Sequence, residues 1–154
     1  MKKVFLLADD DRDDKDLFTE ALQAVDPSAI CYIADNGEQV FDILGNKNTL
    51  RPDLIFLDIN MPIMTGWECI KGLKANPSYK DIPVLIYSTS SDQREANIAI
   101  DLGALCFFTK PSSFNELKNI MQVVVDNIHK DLLDAISHFN AIKSKKVFSC
   151  VDEE

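Results

Sequence analysis

The chain has 154 residues, 46% of them hydrophobic, which is enough for one domain with a substantial core. Its 16 basic and 25 acidic residues leave a net charge of −9, which argues against partnership with nucleic acid or with an anionic membrane surface. No apolar run approaches the ~20 residues of a membrane span. The run after Lys2 and Lys3 stops at Asp9, well short of a signal peptide's apolar region, so the expectation is a cytoplasmic protein.

The elements follow one another in a regular alternation. Residues 3–8 form an apolar run that ends at Asp9-Asp10-Asp11 and reads as a buried strand. A helix is expected from about Asp14, with Leu17, Phe18, Ala21, Leu22 and Val25 on one face, closed by Asp26-Pro27-Ser28. Residues 29–34 read as a short strand and 38–44 as a helix with Val40, Phe41 and Leu44 inward. The run Leu54-Ile55-Phe56-Leu57 leads straight into Asp58, and Met61-Pro62 and Gly66 then force a loop. A helix over 66–75, a strand over 82–87, a helix over 92–102 and a strand over 104–108 come next. A last helix opens near Ser113, with Glu116 placed to complete a capping box. Five strands alternating with five helices predict an α/β fold, a doubly wound parallel sheet with helices on both faces.

In such a sheet the carboxyl ends of the strands share one edge, where ligands bind. Here those ends carry Asp9 and Asp10, Asp58, Ser88 and Lys110. Crowded carboxylates repel one another, and a divalent cation relieves them. Magnesium, or manganese, suits an all-oxygen site shared with a phosphoryl group. An Asp carboxylate can attack phosphorus and carry it as an acyl phosphate, while a lysine and a metal neutralise the oxygens.

These segments resemble the receiver domain of two-component response regulators. The matching pieces are Leu7-Ala8-Asp9-Asp10-Asp11, Leu57-Asp58-Ile59-Asn60-Met61-Pro62-Ile63-Met64-Thr65-Gly66, Tyr87-Ser88-Thr89 and Phe107-Phe108-Thr109-Lys110-Pro111. The resemblance implies a flavodoxin-like five-stranded sheet in the order 2-1-3-4-5. It implies a phosphorelay protein that accepts a phosphoryl group on Asp58 from a sensor histidine kinase or phosphotransfer protein and signals to a downstream protein target. Its only catalysis would be its own phosphorylation and dephosphorylation.

Residue by residue, Asp10 resembles the direct metal ligand, Asp9 a ligand through metal-bound water, and Asn60 a backbone-carbonyl ligand. Ser88, followed by Thr89, stands at the hydroxyl position that follows the phosphate. Lys110 matches the phosphate-pairing lysine, Phe107 the aromatic switch position, and Pro111 a residue that usually follows a cis bond. The Asp-x-Asn-Met-Pro-x-Met-x-Gly-Trp-Glu pattern resembles stand-alone receivers, including some paired with phytochrome-like kinases. Asp11 falls outside the family's acidic pair and reads as loop or helix-start charge.

Two other readings fit parts of this pattern. A haloacid-dehalogenase-type phosphatase would use Asp9 and Asp11, but it needs a further acidic pair after a later strand and leaves the Asp58 loop unexplained. A pseudo-receiver that is never phosphorylated would not need the full residue set. His129 and His138 read as solvated helix surface rather than as a phosphotransfer histidine.

The receiver is expected over residues 1–128, with 129–154 as an extension: a longer last helix, a tail, or both. That is too short for a DNA-binding output domain, so a stand-alone receiver is expected. Leu132, Ile136 and Phe139 continue the apolar spacing, and a homodimer through helix four, strand five, helix five and this extension is compatible with it. The cysteines Cys31, Cys69, Cys106 and Cys150 include no CxxC pair, and Cys31 and Cys106 are read as reduced core filler. With strands two and five at opposite edges, on the order of 19 Å apart, Cys31 and Cys106 cannot bond.

Overall fold

The structure is a computed structural model, and it describes residues 2–142 and 148–150. The elements are β1 (Val4–Ala8), α1 (Arg12–Val25), β2 (Ile30–Ala34), α2 (Gly37–Gly45), β3 (Leu54–Leu57), α3 (Gly66–Ala75), β4 (Val84–Ser88), α4 (Gln93–Asp101), β5 (Cys106–Thr109), α5 (Phe114–Asn127), α6 (Leu132–Ile142) and β6 (Phe148–Cys150). The first five strands pair in parallel in the order β2-β1-β3-β4-β5, as expected.

Strand alternation divides the interior into two cores. Phe5 and Leu7 of β1, Phe56, Tyr87, Cys106 and Phe108 face one side, against Phe18 and Leu22 of α1 and Ile120 and Val124 of α5. Leu6 and Ala8, Ile55 and Leu57, Ile86 and Phe107 face the other, against Val40, Ile70, Leu73, Ala96 and Ala99 of α2, α3 and α4. Because both faces are covered, β1 and β3 are apolar without a break, β4 is apolar up to Ser88, and all three are buried throughout. Phe18, Phe56, Tyr87 and Phe108 stack edge-on or tilted, with centroids 4.9 to 6.3 Å apart in the contacting pairs.

The helix starts follow their caps. Asp11 accepts the Asp14 N–H and opens α1 two residues earlier than expected. Ser113 accepts the Glu116 N–H at α5, whereas the reciprocal capping box is found at Thr65 and Glu68, at the start of α3.

The C-terminal region departs from expectation. The last helix does not run on past Ile128: α5 ends at Asn127, and Asp131 accepts the Asp134 N–H to cap a separate helix, α6. The apolar period of Leu132, Ile136 and Phe139 is helical in either case and does not reveal the break. α6 folds back so that Leu132 and Ile136 are buried in the core beside α5.

After it, β6 adds antiparallel to β5, so β5 is not the edge of the sheet. The register sets Cys106 opposite Cys150, and the two form a disulfide with Cα atoms 4.0 Å apart. Cys106 is therefore buried but not a reduced thiol. The partner lies 44 residues away, and only the return of β6 brings it close. Cys31 and Cys69 are free, and Cys31 does not pair with Cys106.

Candidate functional site

The pocket forms where the ladder of the sheet ends. The Asp9 N–H donates to the Ala34 carbonyl at 3.0 Å and the Asp58 N–H to the Ala8 carbonyl at 2.9 Å, so each carboxylate leaves the sheet at its carboxyl edge. Asp9 is fully buried, Asp58 nearly so, and Asp10 is exposed. Asp9 Oδ1 accepts the Asp11 N–H at 2.9 Å, which turns its second oxygen inward. Asp58 Oδ1 accepts the Ile59 N–H at 2.8 Å.

The loop after Asp58 is held tightly. The Gly66 N–H donates to the Ile59 carbonyl at 2.9 Å. A Cβ on Gly66 would stand 2.2 Å from the Asp58 carbonyl oxygen, so only glycine fits there. Ile63 takes a φ of 66°, a left-handed conformation that is strained for a β-branched residue, and its side chain projects into solvent.

Lys110 is the cation of the pocket. Its N–H donates to the Ser88 carbonyl at 2.7 Å, which anchors the turn after β5. Its ammonium stands 2.8 Å from Asp9 Oδ2, 2.8 Å from Asp14 Oδ2 and 3.5 Å from Asp58 Oδ2, and 4.9 Å over the Tyr87 ring. Burial works to discharge it, but the Asp14 and Asp9 hydrogen bonds and the charges of Asp9 and Asp58 outweigh that and hold it protonated above the usual lysine range. Asp58 is pushed up to about 6: burial is the main cause, Lys110 opposes it, and the nearby Asp9 charge adds to it. Burial also raises the Tyr87 phenol.

The remaining expected site residues fall as follows. Ser88 is buried, and its Oγ accepts the Ser90 N–H at 3.1 Å. Thr89 and Asn60 are exposed beside it and in the Asp58 loop. Phe107 is buried in the core under α4. No peptide bond among the described residues is cis, so the expectation at Pro111 is corrected: the Lys110–Pro111 bond is trans. An X–Pro bond favours trans by only about 0.5–1 kcal/mol, and with trans geometry Lys110 makes its backbone contact to Ser88 and its ammonium contacts to Asp9 and Asp14.

Sequence reasoning missed Asp14. It lies on the first turn of α1, one turn beyond the Asp10-Asp11 pair, and that helical spacing was the available signal. Asp11 Oδ1 caps α1, and its exposed carboxylate lies outside the cluster formed by Asp9, Asp10 and Asp58. His129 contacts Asp53 Oδ1 at 3.1 Å, at the start of β3 and away from the pocket, and His138 is exposed on α6.

Carboxylate oxygens of Asp9, Asp10 and Asp58 lie within 4.8 Å of one another. Together with Asp14 they set four carboxylates against one ammonium. A set of hard oxygen donors with this charge imbalance fits a divalent cation such as magnesium or manganese.

The profile of the response regulator receiver domain matches residues 5–122, from β1 into α5. Response regulator Rcp1 of Synechocystis is 31% identical over 124 residues, covering 78% of this chain and 84% of that protein. A protein-glutamate methylesterase/protein-glutamine glutaminase of Methanococcoides burtonii is 32% identical over 146 residues, and this chain spans 40% of its length. Among solved structures, the phosphorylated cyanobacterial phytochrome response regulator RcpA superposes with a TM-score of 0.74 at 29% identity, over 82% of this chain and 93% of that one. The manganese-bound form of Rcp1 superposes with a TM-score of 0.70 at 30% identity, over 79% and 91%.

Proposed function

We propose that this chain, which belongs to the response regulator receiver family of two-component signalling, takes a phosphoryl group onto Asp58 from a histidine kinase or phosphotransfer protein and passes the signal on by protein contact. The observation that carries this reading is the placing of the Lys110 ammonium between Asp9 and Asp58 at the end of β3, with Asp10 alongside.

Asp58 is the nucleophile. Its Oδ1 is held by the Ile59 N–H, which leaves Oδ2, beside Lys110, to attack phosphorus. The bond from the donor to phosphorus breaks as the Oδ2–phosphorus bond forms, and Lys110 offsets the charge on the phosphoryl oxygens. Asp9, Asp10 and Asp58, with the Asn60 backbone carbonyl, would hold a magnesium or manganese ion. When bound, such an ion supplies charge neutralisation to the phosphoryl oxygens. Ser88, with Thr89 beside it, donates its hydroxyl to the arriving phosphoryl group, and Phe107 repacks in response.

The reading is of a regulator, not an enzyme acting on other substrates. The resemblance to the methylesterase covers less than half of that protein. Among the described residues no helix is long and apolar enough to cross a membrane, and we place the protein in the cytoplasm.

Incubation with radiolabelled acetyl phosphate and magnesium tests this. Wild type should take up label and lose that ability with EDTA, and Asp10→Ala should need at least about tenfold more magnesium. Labelling at full rate in EDTA would refute the metal site.

A further inference from the structure

One covalent cross-link joins the described residues, and it lies outside the acidic pocket. Cys106 opens β5 and is fully buried; Cys150 ends β6 and is partly exposed. β6 is three residues long and pairs only with β5. A strand this short has little pairing strength of its own; it also lies against α6, and the disulfide at its end ties it to β5. α6 is different: Leu132 and Ile136 anchor it in the core whatever the oxidation state of the sulfurs.

The other two thiols are set apart from this chemistry. Cys31 and Cys69 form no disulfide, and neither is bonded to Cys106 or Cys150. Cys150, at the periphery, is the sulfur that a small thiol or disulfide reaches first.

We propose that Cys106 and Cys150 form a reversible thiol–disulfide modification site that controls whether β6 covers the outer edge of β5, with small thiols and disulfides of the glutathione class as co-reactants. In the oxidising direction the Cys150 thiolate attacks a sulfur of the small disulfide, forming a mixed disulfide and releasing one small thiol. The Cys106 thiolate then attacks the Cys150 sulfur and releases the second. Two electrons and two protons pass from the cysteines to the small disulfide, and the reverse sequence restores both thiols.

The edge so controlled carries Phe107 and ends one residue before Lys110. Release of β6 bares backbone donors and acceptors on that strand. The site does not depend on phosphorylation of Asp58.

The test uses the full chain equilibrated in oxidised or reduced glutathione. Alkylation after denaturation should count two thiols when oxidised, Cys31 and Cys69, and all four when reduced. Amide hydrogen exchange in residues 106–109 should be about tenfold faster or more after reduction, while residues 4–8 of β1 stay unchanged. Cys150→Ser should show the fast exchange in both buffers. Failure of the bond to form in oxidised glutathione, or a bond mapped to any other pair, overturns the modification site. Equal exchange in the bonded and reduced forms overturns control of the edge.

Discussion

The acidic pocket and the α6–β6 flank both border β5, and they are built by opposite means. The pocket gathers Asp9, Asp10, Asp14 and Asp58 around Lys110, and one of its carboxyls, Asp58, is left poised near pH 6 by burial. The flank holds on by Leu132 and Ile136 in the core and by a disulfide. One region gives up stability to keep charge available for an incoming group, and the other supplies stability and presents no chemistry to phosphate. Function and stability in this chain are therefore separable by mutation.

The largest stability effect is expected on the flank. Ile136 is fully buried between α6 and α5, and Ile136→Ala should cost about 2–5 kcal/mol in chemical denaturation while leaving phosphorylation of the remaining folded protein intact. A loss below about 1 kcal/mol would mean that α6 is only loosely docked.

Asp58→Asn should have the opposite sign. A carboxyl whose folded value is raised makes the fold less stable wherever it must ionise. That penalty is fully present above pH ~6 and fades as the pH falls toward the unfolded value near 3.8. The substitution should therefore stabilise the protein on the order of 3 kcal/mol at pH 7, and hardly at all at pH 4. Destabilisation at pH 7 would show that the Lys110 contact outweighs burial.

Asp14→Asn should do least. Asp14 is partly exposed, and Lys110 keeps Asp9 and Asp58, so the change in stability should stay below about 1 kcal/mol. A larger loss would make Asp14 a principal holder of Lys110 rather than a third partner.

The same contrast explains what could be read in the sequence. The pocket was legible because a parallel sheet sends every strand's carboxyl end to one edge, so Asp9, Asp58, Ser88 and Lys110 could be placed together from their positions after apolar runs. Asp14 was not placed, because its reach depends on how α1 rotates over the sheet. The trans bond before Pro111 was not legible either, since the two isomers differ by less than the contacts around them. The flank was least legible. Asp131 capping a new helix looks locally like continuation of the old one. The Cys106–Cys150 pair requires β6 to return antiparallel to β5, and the short run around Val147-Phe148 gives too few residues for periodicity to show it.

The central claim is that Asp58, and no other carboxylate of the crowded pocket, takes the phosphoryl group. Borohydride reduction of the acetyl phosphate-treated protein, followed by peptide mass mapping, addresses it directly, because an acyl phosphate is reduced to an alcohol and marks its own residue. The account predicts homoserine at position 58 alone, with none in Asp58→Asn. Homoserine at Asp9 or Asp11 instead, or at no position while label is retained, would contradict it.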